Sequence, residues 1–254
     1  MIIFRNVTKM FGSKCVLNDF SLHIQKGETL CLVGMSGAGK SVTLKHMVGL
    51  LRPTSGEILI AGEPIHDLDG KGLAKVRSRF GYLFQSGALL QWLSVGENVA
   101  LPLREHTKMA EEEIDTLVRA TLAQVGMEEA IEKLPANISG GMMKRAGLAR
   151  AIVTKPEIIL YDEPTSGLDP VISRTIDDLI RRLQKDLGVT SVVVTHDMIS
   201  ALTVGDRIAM LDQGAVLECS TPREFLNSAH PVVRDFLDSQ HIGRNFFKEM
   251  ENFT

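Results

Sequence analysis

"TLCLVGMSGAGKSVTLKHMVGLL", residues 29–51, carries the fold in miniature: an apolar run leads directly into a glycine-rich turn and then a helical pattern. Within it Gly34, Met35, Ser36, Gly37, Ala38, Gly39, Lys40 and Ser41 fit G-x-x-x-x-G-K-[ST]. Small residues let successive backbone N–H groups curl around phosphate oxygens without Cβ atoms in the way, and the following helix start adds positive dipole. In such a loop the lysine reaches the β and γ phosphates as a point charge, and the Ser41 hydroxyl ligates Mg²⁺. Chance places this string in on the order of 1% of chains of this length, so an accidental turn is set aside.

Outward from that loop the chain alternates. The runs "MIIFRNV" and "FSLHI" precede it, a hairpin signal "RPTSGEILIAG" follows, and "FGYLF" reads as a buried strand. Residues 108–155 are helical in pattern, with acidic "AEEEID" near one helix start and Gly126 near its end; this block reads as an inserted helical subdomain. From 156 the alternation returns with "EIILYDE", a helix through "RTIDDLIRRLQKDL", then "TSVVVTHD" and "DRIAMLDQGAV". The expected fold is α/β, a mostly parallel sheet covered by helices.

Composition narrows the function classes. The chain has 254 residues, 44% apolar and 23% charged, with net charge −3 and no block of like charge, which argues against a nucleic-acid partner or a polybasic membrane anchor. Cys15, Cys31 and Cys219 are far apart and form no C-x-x-C pair, so they read as reduced thiols in a cytosolic protein. No apolar stretch approaches the ~20 residues that cross a bilayer, so any membrane role is borrowed from a partner.

A phosphate loop needs a second element to hold metal and activate water. In "IILYDE" an apolar run ends at Asp162, placed to hold Mg²⁺, and Glu163 follows as candidate general base. Adjacent carboxylates at a strand end are costly unless a cation or a task justifies them. Further on, Ser139, Gly140 and Gly141 present a hydroxyl and bare backbone amides at a helix N-terminus, a second anion site in one chain.

That second site lies in "NISGGMMKRAGLARAI", residues 137–152, which resembles the signature motif of ABC-type ATPases. The resemblance spans nearly residues 1–225 and implies an ABC-type P-loop NTPase: a RecA-like core sheet, an N-terminal antiparallel β subdomain, and a helical subdomain inserted at about 90–155. It implies ATP and Mg²⁺ as cofactors, with Phe11, residues Gly34 to Val42 and Asp162 binding ATP, Ser41, Gln85 and Asp162 around the metal, and Glu163, His196 and Gln85 catalytic. Phe11 is the expected adenine stack, against the alternative of a core phenylalanine. Such ATPases resemble head-to-tail dimers, so Ser139, Gly140 and Gly141 contact ATP on a second copy, and Asp169 of "SGLDP" couples the copies.

Met142 stands where many members have Gln, and Ile138 replaces the usual Leu. With "LFQSGALL" and "NVALPLREHT", the signature resembles the ATPase subunit of Mla/MCE phospholipid transport systems. That implies lipid transport between inner and outer membranes, a permease dimer, a membrane-anchored MCE-domain lipid-binding protein, a small STAS-like protein, and a peripheral place on the cytoplasmic face of the inner membrane. The alternative is an importer ATPase for another solute such as an amino acid. Leu89, Leu90, Trp92 and Leu93 either bury against a permease helix or close the intrachain core. Residues 226–254 form a tail whose apolar Val232, Val233, Phe236, Leu237, Ile242, Phe246, Phe247, Met250 and Phe253 dock within the chain or on a partner or second copy.

Overall fold

The computed structural model describes residues 1–65 and 68–247. β1 (Ile2–Phe11) and β2 (Lys14–Ile24) form one antiparallel hairpin, and β3 (Thr29–Val33) leads into α1 (Lys40–Met47). β4 (Ser55–Ile60), β5 (Glu63–Pro64), α2 (Gly70–Arg77) and β6 (Phe80–Leu83) follow, then α3 (Val95–His106), α4 (Glu111–Gln124) and α5 (Gly140–Ile152). The chain returns through β7 (Ile158–Asp162), α6 (Pro170–Leu187), β8 (Thr190–Val194), α7 (Met198–Val204), β9 (Arg207–Asp212) and β10 (Ala215–Ser220), and reaches α8 (Pro222–Leu226) and α9 (Pro231–Asp238).

Among the described residues the strands pair in two sheets, ordered β2-β1-β4-β5 and β10-β9-β3-β8-β7-β6. In the second, β9, β3, β8, β7 and β6 run parallel, with β10 antiparallel on the edge. Strands buried on both faces read as continuous apolar runs, and period two splits their side chains between two cores. Leu30 and Leu32 of β3 enter the core shared with the antiparallel sheet and α1, whereas Cys31 and Val33 enter the core built with α3 to α9.

The antiparallel sheet, parallel core and helical insertion are those of the expected ABC-type fold. The expected helical stretch 108–155 is broken between α4 and α5, where residues 125–139 hold short turns at Glu128–Ala130 and Pro135–Asn137. Gly126, at φ 63°, takes the left-handed conformation that ends α4, and Pro135 cannot continue a helix. The tail docks on its own chain as far as it is described: Val233, Phe236, Leu237 and Ile242 are buried, and Val232, Phe246 and Phe247 pack against the same core. Met250 and Phe253 lie outside the described residues.

α6 and α7 meet through a buried polar pair in which Ser200 Oγ donates to Asp177 Oδ1. Burial, helped by Asp197 and Asp178, pushes the Asp177 carboxyl from its ordinary 3.8 up to about 7. The native state therefore holds this proton more tightly than the unfolded chain, so the stability it contributes is complete below pH 4 and is lost as pH rises through 7. Asp177→Asn, which keeps an acceptor for Ser200, should gain roughly 1–3 kcal/mol over the unmodified protein at pH 8 and little at pH 4, read from urea midpoints at the two pH values.

Candidate functional site

The strand order sets the site. β3, β8, β7 and β6 are neighbours and parallel, so their carboxyl ends lie along one edge: Leu32 pairs with Val194, Val194 with Asp162, and Tyr161 with Leu83. The residues that follow those ends are the Gly34 loop, His196, Glu163 and Gln85. Crevices outside strand carboxyl ends are where open α/β sheets bind ligands. Here a cavity of about 480 Å³ is lined by Ser36, Gly37, Gly39, Lys40, Ser41, Val42, Gln85, Asp162, Glu163 and His196.

The loop is built for close approach. Gly34 has φ 142°, and a Cβ there would come within 2.3 Å of the Leu211 carbonyl oxygen. Lys40 Nζ donates to the carbonyls of Gly34 at 2.6 Å and Met35 at 3.0 Å, closing the loop on itself. Burial lowers the Lys40 pKa, while Glu163 and Asp162 oppose that shift. Those loop carbonyls are contacts that the ammonium can trade for phosphate oxygens.

Asp162 ends β7 half-buried, its pKa raised by burial and by Glu163 beside it. Ser41, Asp162 and Gln85 offer hydroxyl, carboxylate and amide oxygens to the same cavity, a hard donor set that suits Mg²⁺. Glu163 sits in the left-handed region at φ 50°, which is unusual for a residue with a side chain. Its N–H donates to Val194 O at 2.9 Å. Its carboxylate Oε2 lies 2.7 Å from His196 Nδ1, and since a carboxylate accepts, Nδ1 donates the proton of this contact. The histidine side chain is 67% exposed and the glutamate 14%. A base with a small exposed tip, oriented by an imidazole, is suited to taking a proton from water.

Other expected residues lie elsewhere. Gly34, Met35 and Ser36 also face a second cavity, about 720 Å³, beside Gly167, Asp177 and Gln240. Ala38 is buried. Phe11 is outside the phosphate cavity, which Lys14 and Val16 line instead; its exposed ring carries Lys9 Nζ at 5.0 Å. Ser139 caps α5 by accepting from Met142 N, and it and Gly140 are exposed away from this chain's own cavity. Asp169 Oδ1 caps α6, accepting from Val171 and Ile172 N–H at 3.0 Å each.

Several residues escape the motif reading. Lys144, only 4% exposed, donates to the carbonyls of Gln85 and Glu163, so one ammonium joins α5 to both loops; burial lowers its pKa. Arg150, six residues on, donates to Ala88 O at 2.7 Å and Gly87 O at 2.9 Å. Asn98 is fully buried and gathers the loop before α3, accepting from Leu90 N and donating to the carbonyls of Leu90, Leu93 and Ser94. In that loop Leu89 is buried within its own chain and Leu90 and Leu93 are half-buried, while Trp92 is 74% exposed.

Residues 17–166 match the ABC transporter family. The chain belongs to the ABC transporter family. It is 46% identical over 239 residues to a Mycobacterium leprae protein named a probable ribonucleotide transport ATP-binding protein, covering 94% of this chain and 69% of that one. It is 39% identical to the Haemophilus influenzae intermembrane phospholipid transport system ATP-binding protein MlaF, covering 98% of this chain and 94% of that one. A dimeric ATP-binding cassette in a post-hydrolysis state, bound to ADP and Pi, superposes with a TM-score of 0.80 at 35% identity, covering 87% of this chain and 99% of that one. The mycobacterial relatives are longer, and this ABC transporter ATPase spans 66% to 69% of their length. Its cofactors are ATP and Mg²⁺.

The buried ammonium of this cassette yields a prediction. Lys144→Met keeps the volume but leaves the Gln85 and Glu163 carbonyls without that donor, which should cost about 1–3 kcal/mol in a denaturant titration. Lys144→Arg should recover part of it.

Proposed function

We propose that this ABC ATPase powers a membrane permease that moves phospholipid between membranes, acting as a head-to-tail pair of copies closed on two ATP molecules. The observation that carries the hydrolytic half is the 2.7 Å contact between His196 Nδ1 and Glu163 Oε2 at the lip of the phosphate-loop cavity. Lys40 and the loop amides of Gly37 to Ser41 bind the triphosphate. Glu163 takes the proton from the attacking water, and His196 orients the carboxylate with Nδ1–H while Nε2 faces the γ phosphate. Ser41 and Asp162, with Gln85, would hold Mg²⁺, which would neutralise phosphate charge.

The exposed Ser139 and Gly140, with Gly141 behind them, cap ATP on the second copy, and Asp169 joins the two sites. The exposure of the α5 tip outside its own cavity supports this reading. Trp92 is the aromatic anchor for the permease: Leu89 is buried in its own chain and Leu90 and Leu93 are half-buried, while the indole is left outside. Among the described residues no helix is long and apolar enough to cross a membrane, which fits a subunit held peripherally at the cytoplasmic face of the inner membrane by its permease. The phospholipid cargo, with an MCE-domain protein and a STAS-like protein as further partners, draws on the end-to-end match to MlaF. The higher identity to a relative named for ribonucleotide transport makes ribonucleotide the second reading.

Glu163→Gln should still bind ATP and pair in its presence, yet lose on the order of 10²–10⁴ in turnover, and near-normal hydrolysis would reject the base assignment. Trp92→Ala should keep ATPase activity in the isolated protein while weakening retention on its permease by about tenfold or more in pull-down titrations. The assembled transporter in proteoliposomes, given ATP with either fluorescent phospholipid or labelled ribonucleotide, separates the two cargoes by which of them moves.

A further inference from the structure

We infer that Gln240, in the segment after α9, is a positioning residue for His196 and makes ATP turnover depend on the carboxyl-terminal tail. The inference rests on the hydrolytic roles proposed above for His196 and Glu163. It starts from the turn between β8 and α7. There the Gln240 side-chain amide spans two backbone groups, donating through Nε2 to His196 O at 2.9 Å and accepting at Oε1 from Met198 N at 3.0 Å. A primary amide is the neutral side chain that donates and accepts through one planar group, so it fixes both sides of Asp197 together.

The rest of the turn is tied from within. Asp197 N donates to Thr195 Oγ1 at 3.0 Å, and Asp197 Oδ1 accepts from Ile199 N and Ser200 N. Besides the bond from Thr195 N to Leu32 O at 3.3 Å and the His196–Glu163 pair, Gln240 is the contact that arrives from elsewhere in the chain, 44 residues from His196. What places it there is burial on either side. Leu237 precedes it and Ile242 follows it, both in the core that includes Met198, Ala201 and Leu202 of α7, and Ile242 N closes back on Leu237 O at 3.1 Å. The left-handed His241, at φ 57°, makes that sharp return.

The consequence for chemistry follows from exposure. With two-thirds of the His196 side chain in solvent, its ring has the Glu163 carboxylate at 2.7 Å and little packing to direct it, so the backbone position of His196 decides where Nδ1 meets Oε2. Gln240, His196 and Glu163 form one line from the tail to the base. A misplacement of about 1 Å in such a line can lower a rate by as much as 10²-fold.

The test uses the full-length protein. Gln240→Leu keeps the volume and removes both bonds; kcat should fall about tenfold or more while KM for ATP stays within about twofold and ATP-dependent pairing persists. In a His196→Ala background the same change should produce no further loss, because its effect runs through that histidine. Turnover within about twofold of the unmodified protein, a parallel rise in KM with loss of pairing, or full additivity with His196→Ala would each overturn the inference. Glu163→Gln measured beside them separates the failures: if it is inactive while Gln240→Leu is normal, only the tail's role is lost, and if it is fully active, both readings fall.

Discussion

The register of four parallel strands is the constraint on which the rest depends. Because Leu32, Val194, Asp162, Tyr161 and Leu83 are tied in successive ladder pairs, the segments that leave β3, β8, β7 and β6 emerge side by side at one edge. Residues 36, 85, 163 and 196, scattered over most of the chain, thereby share one cavity. Period two enforces the register. A slip of one residue would turn Leu30 and Leu32 away from the antiparallel sheet and exchange the contents of both cores. The price of that order is carried by the loops, where Gly34 and Glu163 adopt backbone conformations that few side chains tolerate.

The parts of the site that could be read from sequence are those whose chemistry is contiguous. Gly34 to Ser41 act through successive amides, so spacing alone reveals them, and Asp162 with Glu163 announce themselves as two acids closing an apolar strand. Lys144, Arg150, Asn98 and Gln240 do not, because their partners are backbone carbonyls and amides up to 63 residues away, and a backbone group has no letter in the sequence. Lys144 between Met143 and Arg145 reads as a solvated charge; only the packing of α5 against β6 and the Gln85 loop buries it. The apolar tail and the "SGALLQWLSV" loop had the same defect from the other side. An apolar letter says that something covers it without saying which chain, and the fold divides them: Leu89, Val233, Phe236 and Leu237 go inward, and Trp92 does not.

Two sets of contacts meet at the site. α5 grips the loop after β6 through Lys144 and Arg150, and α3 gathers its far end through Asn98, so Gln85, the Ser139 tip and Trp92 ride on one framework. Glu163 and His196 belong to the parallel core, with the latter steadied from the tail. Lys144 belongs to both sets, since the same ammonium also holds the Glu163 carbonyl at 2.8 Å. Any rotation of α5 relative to β7 must carry this bond along or break it.

The size of that contact sets what it can do. A hydrogen bond to a charged donor contributes about 1.5–3 kcal/mol, close to the few kcal/mol that separate two functional conformations of a protein. A bond much weaker would let the signature helix move without reference to Glu163, and a rigid covalent link would forbid the movement. Arg150 adds the same kind of contact to the loop after β6 alone, without reaching Glu163. One buried ammonium therefore adds a specific contact between the proposed signature helix and the proposed base, its donors shared between the Gln85 and Glu163 carbonyls.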